Sequence, residues 1–177
     1  MSMDVVFETE RLLLRRFTPD DVALIYQLNR DPEVTRYTLD PVRDESHAQE
    51  ILETVILPQY ALYNYGRWAV HCKGDLSFIG WCGLKFRPEL NETDLGYRFT
   101  RASWGRGYAT ESAAGTLKYG FNNLGINRII GRALSGNLGS IHVLEKCGMT
   151  FIGEEIIEGI LHKKYEALSP LITGTAR

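Results

Sequence analysis

Apolar residues recur at two different periods along this chain, and the change of period divides it. Val22, Leu24, Ile25 and Leu28 repeat at helical spacing behind Thr18-Pro19-Asp20-Asp21. There Thr18 suits an N-cap, Pro19 the first helical position and the acids the first turn. Asp31-Pro32 ends that helix, and a loop with Tyr37 and Pro41 leads to a second one from about Ser46 to Leu62, carrying Ile51, Val55 and Ile56. From residue 67 the period shortens. RWAVHCK (67–73), SFIGWCGLKF (77–86) and TDLGYRFT (93–100) read as strands, as does ERLLLRRF (10–17) before the first helix. A helix follows to about Asn123, its buried stripe expected at Ala109, Ala113, Leu117, Gly120 or Phe121, and Leu124. INRIIGRAL (126–134) is a strand, NLGSIHVLEKCG (137–148) a short helix, and strands near 149–157 and 162–168 finish the chain. The order β-α-α-β-β-β-α-β-α-β-β predicts a mixed α/β sheet, antiparallel in the middle, with one strand–helix–strand crossover.

Composition narrows the functional classes. With 177 residues and no repeat or linker, the chain reads as a single domain over 1–177. A hydrophobic content of 44% and a formal net charge of −2 argue for a globular protein without the broad basic face of a nucleic-acid binder. Cys72, Cys82 and Cys147 lack the spacing of a zinc site, so no metal is expected and the thiols read as reduced. No signal peptide or membrane-spanning apolar run is evident, which predicts a cytoplasmic protein with no membrane partner.

The chemistry concentrates in SWGRGYATES (103–112). Gly105 and Gly107 stand astride Arg106 where a helix begins, and glycines there free the backbone to turn its N–H groups toward an anion. A tight strand-to-helix turn would use the same residues. A dinucleotide fingerprint needs a small residue at 110 and an acid about 20 residues on; Thr110 and then Asn127-Arg128 stand there. The Gly-Lys-Ser/Thr of a Walker loop does not occur.

WGRGYATES followed by NLGSIHVLEKCGM resembles the GNAT superfamily of acyl-CoA-dependent N-acetyltransferases, and most nearly its RimJ/RimL branch of ribosomal-protein N-terminal acetyltransferases. ETERLLLRRFTPDD, NRDPEVTRY and TDLGYRFTRASWGRGYATES extend the likeness over most of the chain. The resemblance implies a largely antiparallel sheet of about seven strands with four helices. It also implies acetyl-CoA as donor and a V-shaped gap between the strands at 93–100 and 126–134 that takes the pantetheine arm. The superfamily loop Gln/Arg-x-x-Gly-x-Gly/Ala becomes Trp104-Gly105-Arg106-Gly107-Tyr108-Ala109, with Thr110 completing the amide run. The backbone of Tyr97, Arg98 and Phe99 would pair with the pantetheine as an added strand. Asn137 matches the asparagine that holds the arm, and is also a good helix N-cap. The tyrosine many members place on the last helix is Leu144 here; Ser140, one turn earlier, is the residue expected to face the sulfur.

An amide near Tyr97 is the expected oxyanion donor. Asp94 stands where related enzymes carry a glutamate base and is the expected base, acting through water. Glu92, Glu154, Glu155, His142 and His162 are further candidates, and Tyr37, Tyr63, Tyr65 and Trp81 are candidates to line an acceptor cleft. The expected activity is acetyl transfer to a primary amine, foremost a protein N-terminus. An aminoglycoside or polyamine acceptor, and a non-catalytic acyl-CoA sensor, are the alternatives. Homodimers are frequent in the family it resembles.

Overall fold

The computed structural model describes residues 3–173. Eight strands form one sheet: β1 (Val5–Glu8), β2 (Leu12–Arg15), β3 (Arg67–Cys72), β4 (Phe78–Arg87), β5 (Glu92–Phe99), β6 (Arg128–Leu134), β7 (Thr150–Ile157) and β8 (Ile160–Leu168). Their order across the sheet is β1-β2-β3-β4-β5-β6-β8-β7. The expected seven strands become eight because the first is a hairpin. Thr9 to Arg11 turn the chain, and Val5–Glu8 pairs antiparallel with β2.

Helices α1 (Val22–Asn29), α2 (Glu45–Ile51) and α3 (Leu57–Tyr63) come from the first half of the chain. Thr18 caps the entry with a complete capping box to Asp21. The expected single helix over 46–62 runs from α2 to α3 through a π-helical turn at Leu52–Ile56. Pro58 explains it: without an N–H the proline cannot donate to the carbonyl four residues back, so the helix widens there instead of breaking. Helices α4 (Tyr108–Asn122) and α5 (Leu138–Lys146) lie on the opposite face, and a short α6 (Pro170–Thr173) closes the described chain.

The core holds Trp68, Leu12, Leu14, Ile25, Leu28, Leu52, Leu84 and Ile129, all at most 1% exposed. On α4 the buried positions are Ser112, Ala113, Thr116, Leu117 and Gly120. The apolar stripe was therefore half right, because two small hydroxyls share it. Thr116 Oγ1 meets Cys82 Sγ at 3.4 Å beneath the helix. Gly120 sits against Ile129 and Leu84, with no room for a Cβ.

The feature that positions the site is a fault in the sheet. β5 and β6 are its parallel neighbours, and they pair only at Asp94↔Ile130 and Leu95↔Gly131. Beyond Leu95 they separate, while β5 stays paired with β4 to its end, Phe99 opposite Gly80. The chain leaves β5 for α4 and leaves β6 for α5, so both helix N-termini stand at the open end.

Candidate active site

Strand alternation decides which backbone groups face the opening. Thr100 N donates to Ile79 O on the β4 side. Backbone groups alternate along a strand, so those of Asp94, Gly96 and Arg98 turn to β4, and those of Leu95, Tyr97 and Phe99 turn to β6. Past Leu95 there is no β6 partner to meet them. The Phe99 carbonyl is taken by Trp104 Nε1 at 2.9 Å, which leaves Tyr97 as the residue whose N–H and C=O both face the gap. Arg98 is a correction. Its backbone pairs with Trp81 on β4, and its side chain runs to the other face, to Asn29 and to Asp40 at 3.0 Å, stacked 4.9 Å above the Trp81 ring.

The glycine loop follows. Gly105 and Gly107 have φ of +74° and +79°, a region costly for residues with a Cβ, and Gly107 is the N-cap of α4 without any side-chain cap. Among the described residues, no hydrogen-bond partner exists for any backbone N–H from Gly105 through Thr110. A helix entrance of this kind is an anion cradle in geometry and in sign, since the helix dipole adds partial positive charge. Arg106 is exposed and its carbonyl accepts from Arg11 Nη1 at 2.9 Å. Arg11 was not foreseen. It pairs with Glu111 at 2.7 Å, lies over the Tyr108 ring at 4.6 Å, and so ties the hairpin to the loop. Ala109 O accepts from Ser112 Oγ, and Thr110 O receives the Cys147 thiol at 3.7 Å.

Across the opening, Tyr97 and Ser140 come together. The Tyr97 hydroxyl donates to Ser140 O at 2.9 Å and lies 2.9 Å from Ser140 Oγ. Asn137 Oδ1 accepts from Ser140 N at 3.2 Å, so it caps α5 and holds Ser140 in the first turn. Leu144 is buried against Gly131 and does not reach the opening.

Asp94 does not fit the part of a base. Its carboxylate is 5% exposed and accepts from Arg67 Nη2 at 2.9 Å and from Arg87 Nε, with Arg132 Nη1 at 3.9 Å. Burial by itself raises a carboxyl pKa, but Arg67 and Arg87 outweigh it and hold Asp94 below the usual carboxylate range. A carboxylate so held has little affinity for a proton. Glu92 and Glu155 are likewise pulled down by Arg132 and Lys164. Glu154 and His142 are exposed, and the ring of His162 bonds its own strand at Ile160 O.

Arg67 is the residue that sequence reasoning missed. Its guanidinium lies flat on the sheet, bonded to Gly83 O and to Asp94 O and Oδ1. Gly83 and Gly96 are register partners, and a Cβ at Gly96 would stand 2.4 Å from Arg67 Nη2. This paired glycine channel was the available signal. Of the aromatic candidates, Tyr65 bonds Thr93 and Tyr63 packs on Phe86, while Tyr37 remains 36% exposed on the α1–α2 loop.

The opening and the amide run fit acetyl-CoA. The free edge of β5 at Tyr97 can take an amide-bearing arm as an added strand, and the Gly105–Thr110 amides can take a diphosphate. Among the described residues no cluster of metal ligands occurs, and no helix is long and apolar enough to cross a membrane.

Comparison with known proteins agrees with this geometry. The family described as acetyltransferase (GNAT) domain matches residues 11–150. An uncharacterized N-acetyltransferase, p20 of Bacillus licheniformis, is 32% identical over 77% of each chain. Two solved structures share the fold: RimL, a ribosomal-protein α-N acetyltransferase with coenzyme A (TM-score 0.78, 17% identity, 93% of this chain and 97% of that one), and the Vibrio cholerae spermidine N-acetyltransferase with CoA and spermine (TM-score 0.74, 20% identity, 91% and 97%). The same fold thus occurs in an acetyltransferase of a protein α-amine and in one of a polyamine.

Proposed function

This chain belongs to the GNAT family of acetyltransferases and is an acetyl-CoA-dependent N-acetyltransferase, and we propose that its acceptor is an α-amine, foremost a protein N-terminus, as in the RimJ/RimL branch. The observation that carries the reading is the run of unpartnered amides from Gly105 to Thr110, set at the open end of β5 and β6.

Bound acetyl-CoA supplies a thioester carbonyl open to an amine and a thiolate able to leave. The chain's own residues bind, orient and protonate. Gly105–Thr110 hold the phosphates, and the Tyr97 backbone aligns the arm and offers its N–H to a carbonyl oxygen that gains charge. Ser140, fixed by Asn137 and Tyr97, is the hydroxyl that passes a proton to sulfur and regains one from the nitrogen that has attacked. A thiolate of pKa about 8.5 needs only modest help to depart.

Proton removal from the acceptor rests on magnitudes. An α-amine of pKa about 7.7–8.0 is roughly a tenth neutral at pH 7, whereas a lysine near 10.4 is neutral well under 0.1% of the time. With Asp94 locked, the α-amine is the acceptor that least needs a strong base. The wall around Asp94 is also cationic and depresses an ammonium pKa further.

A thiol-release assay with N-terminal peptides, spermidine and aminoglycosides tests the reading. Turnover of peptides is expected. Tight acetyl-CoA binding with no turnover of any amine would instead support a cofactor sensor.

A further inference from the structure

α4 and α5 pack on one face of the sheet at the opening, which leaves the other face for an acceptor. On that other face, just below the gap, lies a cluster the transfer itself does not use. Asp94 is approached by Arg67 and Arg87 and, at 3.9 Å, by Arg132 Nη1. Lys85, its register partner on β4, shares the same face.

Two observations make this cluster more than an ion-pair network. Arg132 is 8% exposed, gives Nε to Glu155 and Nη2 to Glu92, and keeps a buried Nη1 without any hydrogen bond. Lys85 is half-buried, and its ammonium has neither hydrogen bond nor salt bridge among the described residues. Burial, and the repulsion of Arg87 and Arg67, lower its pKa, as expected of a cation with too few counter-charges. Counting outward to Arg128, Lys164, Glu89, Glu92, Glu155 and Glu166, cations still exceed carboxylates by one. On the loop above, Asp31 and Asp40 are spent on Arg101 and Arg98. Of the carboxylates acting on Lys85, Asp94 is held by Arg67 and Arg87, and Glu89 lies on the exposed turn after β4. An anion finds two unmatched donors.

We propose that Lys85 and Arg132, with Arg67 and Arg87 beside them, form an anion subsite of the acceptor cleft, so that the preferred acceptor is a primary amine bearing a carboxylate or similar anion a short chain away. The inference rests on the acetyltransferase reading above. Three steps along the strand separate Asp94 from Tyr97, roughly 10 Å, which limits the distance between the anion and the reacting amine. Free acidic amino acids and peptides with an acidic side chain at their N-terminus share this chemistry.

The test is steady-state kinetics at saturating acetyl-CoA with free glutamate and aspartate, peptides beginning with Asp or Glu, the same peptides beginning with Asn or Gln, and spermidine. The free amino acids and the acidic peptides distinguish the two sources. At least one anionic acceptor is expected to exceed its neutral counterpart and spermidine by about tenfold or more in kcat/KM, a difference of about 1.4 kcal/mol. Lys85→Met should cut that anionic-to-neutral ratio by about tenfold through KM, and Lys85→Glu should invert it. Melting curves identify any variant that fails to fold, and for such a variant the wild-type ratio and its loss in rising chloride stand as the measure.

Equal efficiencies for anionic and neutral acceptors, a preference for spermidine, or a ratio unmoved by Lys85→Met each overturns the subsite. Turnover of neutral acceptors alone overturns the subsite and leaves the acetyltransferase reading intact. Acetyl-CoA that does not bind overturns that reading instead.

Discussion

The hydroxyl of Tyr97 on β5 reaches across the gap in the sheet and donates to the carbonyl of Ser140 on α5, 2.9 Å away. Beyond Leu95 the two strands no longer bond, and this contact spans the opening in their place. Burial pushes the Tyr97 phenol up, so it stays protonated throughout the working pH range and remains a donor.

Ser140→Ala keeps that carbonyl contact and removes only the Oγ. The expected result is a kcat lower by about tenfold with the acetyl-CoA Kd changed less than about twofold, since general-acid assistance to a good leaving group is small. Rapid thiol-release kinetics with calorimetric Kd values check the split. A weakened Kd with kcat unchanged would assign Ser140 to binding alone.

Asp94→Asn should behave as a structural lesion. Removing one partner from a buried ion pair costs about 3–5 kcal/mol, which for a chain of this size lowers Tm by roughly 10 °C. The depressed pKa of Asp94 contributes stability above the usual carboxylate pKa, and this is lost as pH falls through the folded value. Thermal melts at pH 3 and pH 7 should therefore differ less for the variant than for the parent. A variant of unchanged Tm and abolished kcat would restore Asp94 as a base.

His71 gives an independent pH signature. Its ring is 5% exposed, with Nε2 accepting from Arg15 Nε at 3.0 Å and Nδ1 placed to donate to Leu76 O at 2.9 Å. Burial first, and then Arg15, lower its pKa below the ordinary 6.5. Below about pH 6.5 the unfolded chain takes up a proton that the folded one refuses, so stability falls as pH drops through that window and is whole above it. Urea midpoints at pH 7.5 and 5.5 should show the loss in the parent and a smaller one in His71→Gln.

Gly107→Glu should abolish acetyl-CoA binding. It forces a side chain into φ +79° and puts a negative charge beside the amides proposed to hold a phosphate. Affinity should fall by about a hundredfold or more in calorimetry, a loss larger than Gly107→Ala produces. Unchanged binding would move the cofactor elsewhere.

What the sequence revealed and what it hid follow from range. The loop Gly105–Thr110, the capping box at Thr18 and the helix N-cap at Asn137 are local, each made within a few residues, and all were legible. Val5–Glu8 was missed because four residues carry too little periodicity to announce a strand without the partner that pairs with them. The fate of Asp94 was hidden for a different reason. Arg67 lies 27 residues away, and it reaches the carboxylate only because Gly83 and Gly96 face each other across β4 and β5. An acid on a strand reads as a base until its counter-ions are known.

The central claim is that the backbone of the α4 entrance grips coenzyme A. Amide chemical shifts of the isotope-labelled protein, followed during titration with coenzyme A, test it most directly. The N–H signals of Gly105, Gly107 and Thr110 are expected to move downfield and slow in hydrogen exchange, while those in β1 stay put. Signals at Gly105–Thr110 that remain unmoved at saturating coenzyme A would contradict it.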